Sequence, residues 1–208
     1  MIQEIKNRIV LFNSRVGKYR EISFEAEAIA DEITQLQHYF QVPIPSDLAS
    51  LYTHLGGLTP YNREMFAISI DTPKYLLESI SHKNKWYRCN SLGLIDYIKF
   101  CWANDRSELE EDNYLNSQQL HSLNNNYKCF GLYRTDWGNE EADYLYFDRN
   151  GNFGTVRYHQ DSISALLDDY LIPLTHKSLA NETLDVMLLR IINQVEEAIL
   201  AEGGWAAK

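Results

Sequence analysis

The stretch whose reading decides the fold is Asp143-Tyr144-Leu145-Tyr146-Phe147-Asp148-Arg149-Asn150-Gly151-Asn152-Phe153-Gly154-Thr155-Val156-Arg157-Tyr158. Two runs rich in aromatic residues flank Asp148-Arg149-Asn150-Gly151. Asn-Gly between such runs is the strongest short hairpin signal, because both residues tolerate positive φ. The stretch therefore reads as antiparallel strands over 143–147 and 153–158 joined by a tight turn. Its resemblance to an acidic calcium loop is superficial. The turn glycine of that loop is the sixth residue, whereas Gly151 is the fourth counted from Asp148.

Working outward, Tyr127–Tyr133 supplies a third aromatic strand, and Met65–Ile70 a fourth. Helices are expected on both sides. Ile29, Ile33, Leu36 and Phe40 form one apolar stripe over 23–40. Val42-Pro43-Ile44-Pro45 breaks it, and Pro45 suits the start of a second helix. That helix buries Leu48, Leu51, Tyr52 and Leu55 and stops at Gly56-Gly57. A short helix is expected around Tyr75–Ile80, an extended piece at Lys85–Tyr87, and a helix over Ser91–Ala103 with Leu94, Ile98, Cys101 and Trp102 inward. The acidic, polar stretch Asn104–Asn126 reads as a long excursion. Leu184, Leu188, Ile191, Val195 and Ile199 mark a closing helix. The whole is an α+β fold in a single domain over 1–208. Its sheet is mainly antiparallel, with helices packed against it at both chain ends. Residues 1–22 read as an N-terminal extension and 201–208 as a frayed tail.

Composition bounds the function. The 208 residues are 45% hydrophobic with a net charge of −10, and no stretch approaches a membrane span. No secretory signal is legible at the start. Cys89, Cys101 and Cys129 are odd in number and widely spaced, which suits free thiols in a cytoplasmic chain. A field of this sign repels phosphate backbones, so neither nucleic acid nor membrane is an expected partner. The charge is uneven: residues 1–20 carry a net of +4 and residues 103–147 a net of −6.

The search for chemistry yields no phosphate loop, dinucleotide fingerprint or hydrolase elbow. No two of the six His lie within five residues, so no local zinc pair exists, and no metal site or cofactor is expected. Cys101 and Cys129 read as core positions without a base nearby. The carboxylates Asp136, Glu140, Glu141 and Asp143 read as a charged, solubilising loop or, in the sharper reading, as a recognition surface, and either suits them better than an acid/base pair. Trp137 would be its apolar anchor, with Asp136, Glu140 and Glu141 as rim and Tyr114 as a second aromatic contact.

The run Ile33-Thr-Gln-Leu36-Gln-His-Tyr-Phe40-Gln-Val-Pro43-Ile-Pro45-Ser-Asp-Leu48-Ala-Ser-Leu51-Tyr52-Thr-His-Leu55-Gly56-Gly57 resembles the opening of the SUKH superfamily. That group contains fungal cell-wall assembly regulators and bacterial immunity proteins encoded beside toxins. Its members show a helix, a proline-led second helix and a glycine pair, usually preceded by Asn where this chain has Leu55. Asp143–Asp148 followed by Gly151 and Gly154-Thr-Val156 is similar to the family's strand pair. Residues 1–22 and 103–126 have no counterpart in the family. The resemblance implies a noncatalytic module that works by protein contact. The function expected from it is that of an immunity-type protein that neutralises a basic toxin domain through its acidic surface. A scaffold or regulator of the same fold is the alternative, and an enzyme with dispersed carboxylates the third reading.

Overall fold

The computed structural model describes residues 1–61, 67–81, 91–101, 114–135, 140–159 and 162–201. Its centre is the expected hairpin. Strands β4 (Tyr127–Arg134), β5 (Glu141–Asp148) and β6 (Phe153–His159) pair antiparallel in sequence order. Three further strands extend the same meander: β1 (Ile22–Phe24), β2 (Leu58–Pro60) and β3 (Ala67–Ile70). The α+β expectation holds.

The turn differs in detail from its sequence reading. Only Gly151 takes a positive φ, of 81°. Gly151 N–H donates to the Asp148 carbonyl, while Asp148 Oδ1 accepts from the backbone N–H of both Asn150 and Asn152. A buried aspartate thus organises a three-residue loop ending in one left-handed residue, in place of a two-residue turn. Gly151→Val is expected to destabilise the fold by about 2 kcal/mol, because a β-branched residue resists that φ. The nearest atoms to a new Cβ belong to Pro45 at 3.7 Å, so no clash adds to this. An unchanged urea midpoint would refute the assignment.

β5 is buried residue after residue from Ala142 to Asp148, so the sheet is covered on both faces and lacks simple alternation. The helix α9 (Leu184–Ala201) lies across one face, with all five expected stripe residues buried. Tyr133 Oη donates to Gln194 of α9 on that face. Tyr133 faces Asp143 across the ladder, and Tyr144 points the opposite way, where it meets Tyr97 of α5 (Leu94–Cys101) edge-on with ring centroids 6.1 Å apart.

Several helical expectations need correction. α2 spans Ala30–Phe40, not 23–40, and Ile29 at its N-cap is 61% exposed. The chain cannot be helical earlier, because Ile22–Phe24 pairs with β2, and Glu25 and Ala28 donate to the carbonyls of Gly57 and Tyr52. α3 (Ser46–Leu55) follows Pro45 as expected and buries the expected face. α4 spans Pro73–Ser81. Cys101 is exposed, not core: as the last residue of α5 it lines a cleft with Asp71, Tyr97 and Arg134. Cys129 is buried as expected. The polar excursion contains a ten-residue helix, α6 (Ser117–Asn126). It is set by a reciprocal cap in which Asn116 Oδ1 accepts from Gln119 N–H and Gln119 Oε1 from Asn116 N–H, each at 2.9 Å.

Two segments in which the sequence reading named no helix, the N-terminal extension over 1–22 and the stretch after β6, also carry helical structure. Residues 2–13 form α1 (Ile2–Asn13), which buries Ile5, Ile9 and Phe12 and packs on α9. After β6 the chain forms α7 (Ile163–Leu166), a π-helical turn over Leu167–Leu171, and α8 (Ile172–His176). Met65, Lys85–Tyr87, Trp102 and most of 201–208 lie outside the described residues. No described helix is long and apolar enough to cross a membrane.

Candidate functional site

The expected recognition residues begin at the end of the β4–β5 connection. Asp136 and Trp137 lie outside the described residues, so the anchor is not placed. Tyr114 is exposed ahead of α6 and shares no described hydrogen bond, ion pair or cavity with the acidic pair. Glu140 and Glu141 do come together with other charges. The β5–β6 register sets Glu141 opposite His159 and Asp143 opposite Arg157. Because alternate residues share a sheet face, all four side chains project to one side.

There Glu141, Arg157 and His159 form one wall of a groove whose other wall is α7 and the π-helical turn, with Asp143 buried behind Arg157. Arg157 donates through Nε and Nη2 to Asp143 Oδ2 at 3.2 and 3.0 Å, and its Nε lies 3.5 Å from Glu141 Oε1. His159 Nε2 is 4.0 Å from Glu140 Oε2. Asp169 and Tyr170 reach the groove from the π turn, a helical irregularity that recurs at functional sites because it redirects side chains. Sequence reading missed Arg157, Asp169 and Tyr170. Only tertiary packing brings the 163–176 segment against β6.

Two kinds of carboxylate emerge. Asp143 is buried and is held by Arg157 through both oxygens. Burial pushes its carboxyl above the usual range, with Arg157 pulling the other way. The Asp143 contact raises Arg157 above its ordinary value, so the guanidinium stays charged. Burial first, then Asp143, raises Tyr170. Glu140 and Asp169 are exposed and Glu141 half-buried, and these remain available at the rim. The rim therefore carries an excess of negative charge over the one committed arginine.

The raised Asp143 value predicts a pH dependence. A folded pKa above the unfolded one gives stability that is fully present below about 3.8 and is lost as pH rises through the folded value. Asp143→Asn keeps an acceptor for Arg157 without the buried charge. It is expected to gain stability relative to the parent as pH rises above about 4, read from urea midpoints. A difference independent of pH would contradict this.

Among the described residues, no group of three or more His, Cys, Asp or Glu is placed to hold a metal ion. No family model matches the sequence, and comparison with curated proteins and with solved structures finds no match.

Proposed function

We propose that this chain is a noncatalytic protein-binding module of the immunity type, which masks a basic partner domain through its acidic groove. The observation that carries the reading is the placement of Glu141 and Asp169 in the lining of a groove, with Glu140 beside its His159, while the lining arginine is already committed to Asp143. Both oxygens of the buried carboxylate are occupied by that arginine, which favours recognition over acid/base work. The chain's net charge of −10 adds long-range attraction for a cationic domain. The resemblance to the SUKH superfamily supports the same reading through α2, the proline-led α3 and Gly56-Gly57.

The test is a pull-down with mass spectrometry to identify a basic partner domain, followed by stopped flow with that domain at low and physiological salt. Glu140→Lys combined with Asp169→Lys is expected to slow association by about tenfold or more at low salt. Stability should hold, since exposed charges contribute about 0–1 kcal/mol. Glu141 is left intact because a lysine there would face Arg157. An association rate indifferent to both the reversal and the salt would sink the proposal.

A further inference from the structure

A second cleft, sharing no lining residue with the acidic groove, opens between the end of α2, the start of α5, α6 and β4. Its volume is about 440 Å³, within the range that holds small molecules. His38 and Gln41 line it from α2 and its C-cap, Asp96 from α5, His121 and Asn124 from α6, and Lys128 from β4.

Lys128 is the unusual member. It is 2% exposed, and lysine is almost never so deeply placed in a domain. Its Nζ donates to the Asn124 carbonyl at 2.7 Å, which fixes the ammonium at the cleft wall. Asp96 is the one carboxylate lining the cleft, and it is turned to the scaffold. Its Oδ2 accepts from Ser91 Oγ at 2.8 Å and its Oδ1 from Asn124 Nδ2 at 3.1 Å. Asn125 Nδ2 donates to His121 Nε2 at 2.7 Å, which leaves the proton of a neutral ring on Nδ1 as a donor. The cleft wall is thus rich in N–H donors, and its carboxylate is spoken for.

Two left-handed residues border the cleft. Gln41 and Leu92, with φ of 56° and 51°, are the two non-glycine residues with positive φ among the described residues. Gln41 lines the cleft and Leu92 follows the lining residue Ser91. Gln41 takes the left-handed conformation as the C-cap that ends α2, which turns the chain along the cleft edge.

We infer that this cleft binds a small molecule carrying a phosphate group, held by Lys128, His121 and His38. These donors come from three different elements, which suits the three acceptor oxygens of a phosphate better than a planar carboxylate. The volume left over accommodates an organic body beside Tyr39 and Gln41. The site is independent of the partner-binding groove, and its test does not involve the partner.

The full chain is titrated with inorganic phosphate while the imidazole proton resonances of His38 and His121 are followed. Both are expected to shift with one saturable midpoint, and matched sodium chloride is expected to leave them in place. His38→Gln and His121→Gln, both at exposed positions, should each weaken binding roughly tenfold with an unchanged thermal midpoint. Lys128→Met should abolish it, and a circular dichroism spectrum establishes that this buried variant has folded. If Lys128→Met does not fold, the two histidine variants decide. Shifts equal to those from chloride, equal affinity for acetate, or phosphate binding untouched by either histidine variant would each overturn the assignment.

Discussion

Gly56→Ala is expected to lower the unfolding free energy by about 4 kcal/mol, a large part of the 5–15 kcal/mol of a typical domain. Two effects add. Gly56 ends α3 with φ 67° and ψ −48°, a combination that L residues avoid at a strain of about 1–3 kcal/mol. A Cβ there would also sit 1.9 Å from the Ala26 carbonyl oxygen, a backbone atom with no freedom to swing aside. Overpacking of that kind adds about 1–3 kcal/mol. The same position therefore stops a helix and lets the 25–28 segment cross over it on the way from β1 to α2. Gly151→Ala is the control, since it shares the positive φ without the clash and should lose only about 1 kcal/mol. Chemical denaturation of both variants checks the order. Equal losses would mean that the close approach to Ala26 contributes nothing.

Arg8→Ala is expected to destabilise by about 3 kcal/mol, through the charge it abandons. Glu196 of α9 is 5% exposed, and Arg8 of α1 donates to it and to Asn193 Oδ1, the latter at 2.6 and 2.9 Å. Arg15 also reaches Glu196, at 3.2 Å, but is half exposed, so Arg15→Ala should lose less than about 1 kcal/mol. Removing the buried carboxylate as well, in Arg8→Met with Glu196→Leu, should recover most of the loss, because a well-packed apolar pair replaces a buried ion pair at little net change. Thermal melts of the three variants are the measurement. A double variant no better than Arg8→Ala would place the effect in α1 packing instead. Part of the positive charge of residues 1–20 is thus spent inside the fold, tying the chain's two ends together.

The hairpin, the second helix with its proline start and glycine stop, and the closing helix were all legible, because each is specified by neighbours in sequence. A turn needs its own glycine, and a helix face needs a repeat every three to four residues. α6 was legible in principle through Asn116 and Gln119, but the surrounding polar residues masked a cap that only geometry makes reciprocal. Other features depended on distant partners. β1 and β2 are three residues each, too short to show a period, and exist because they pair with each other. The apolar face of α1 was unreadable without α9 to bury it.

The candidate site divides in the same way. From sequence alone come the acidic character of the chain and the exposed Glu140 beside Glu141, because charge is additive and needs no fold. Which carboxylates remain available was decided by tertiary structure. The β5–β6 register pairs Asp143 with Arg157 and buries the carboxylate beneath the exposed guanidinium, while the π-helical turn brings Asp169 to the rim from outside the acidic segment. The physical reason is range: propensity, turn chemistry and net charge are local or summed properties, whereas the burial and pairing of a charge depend on which strand and helix lie against it.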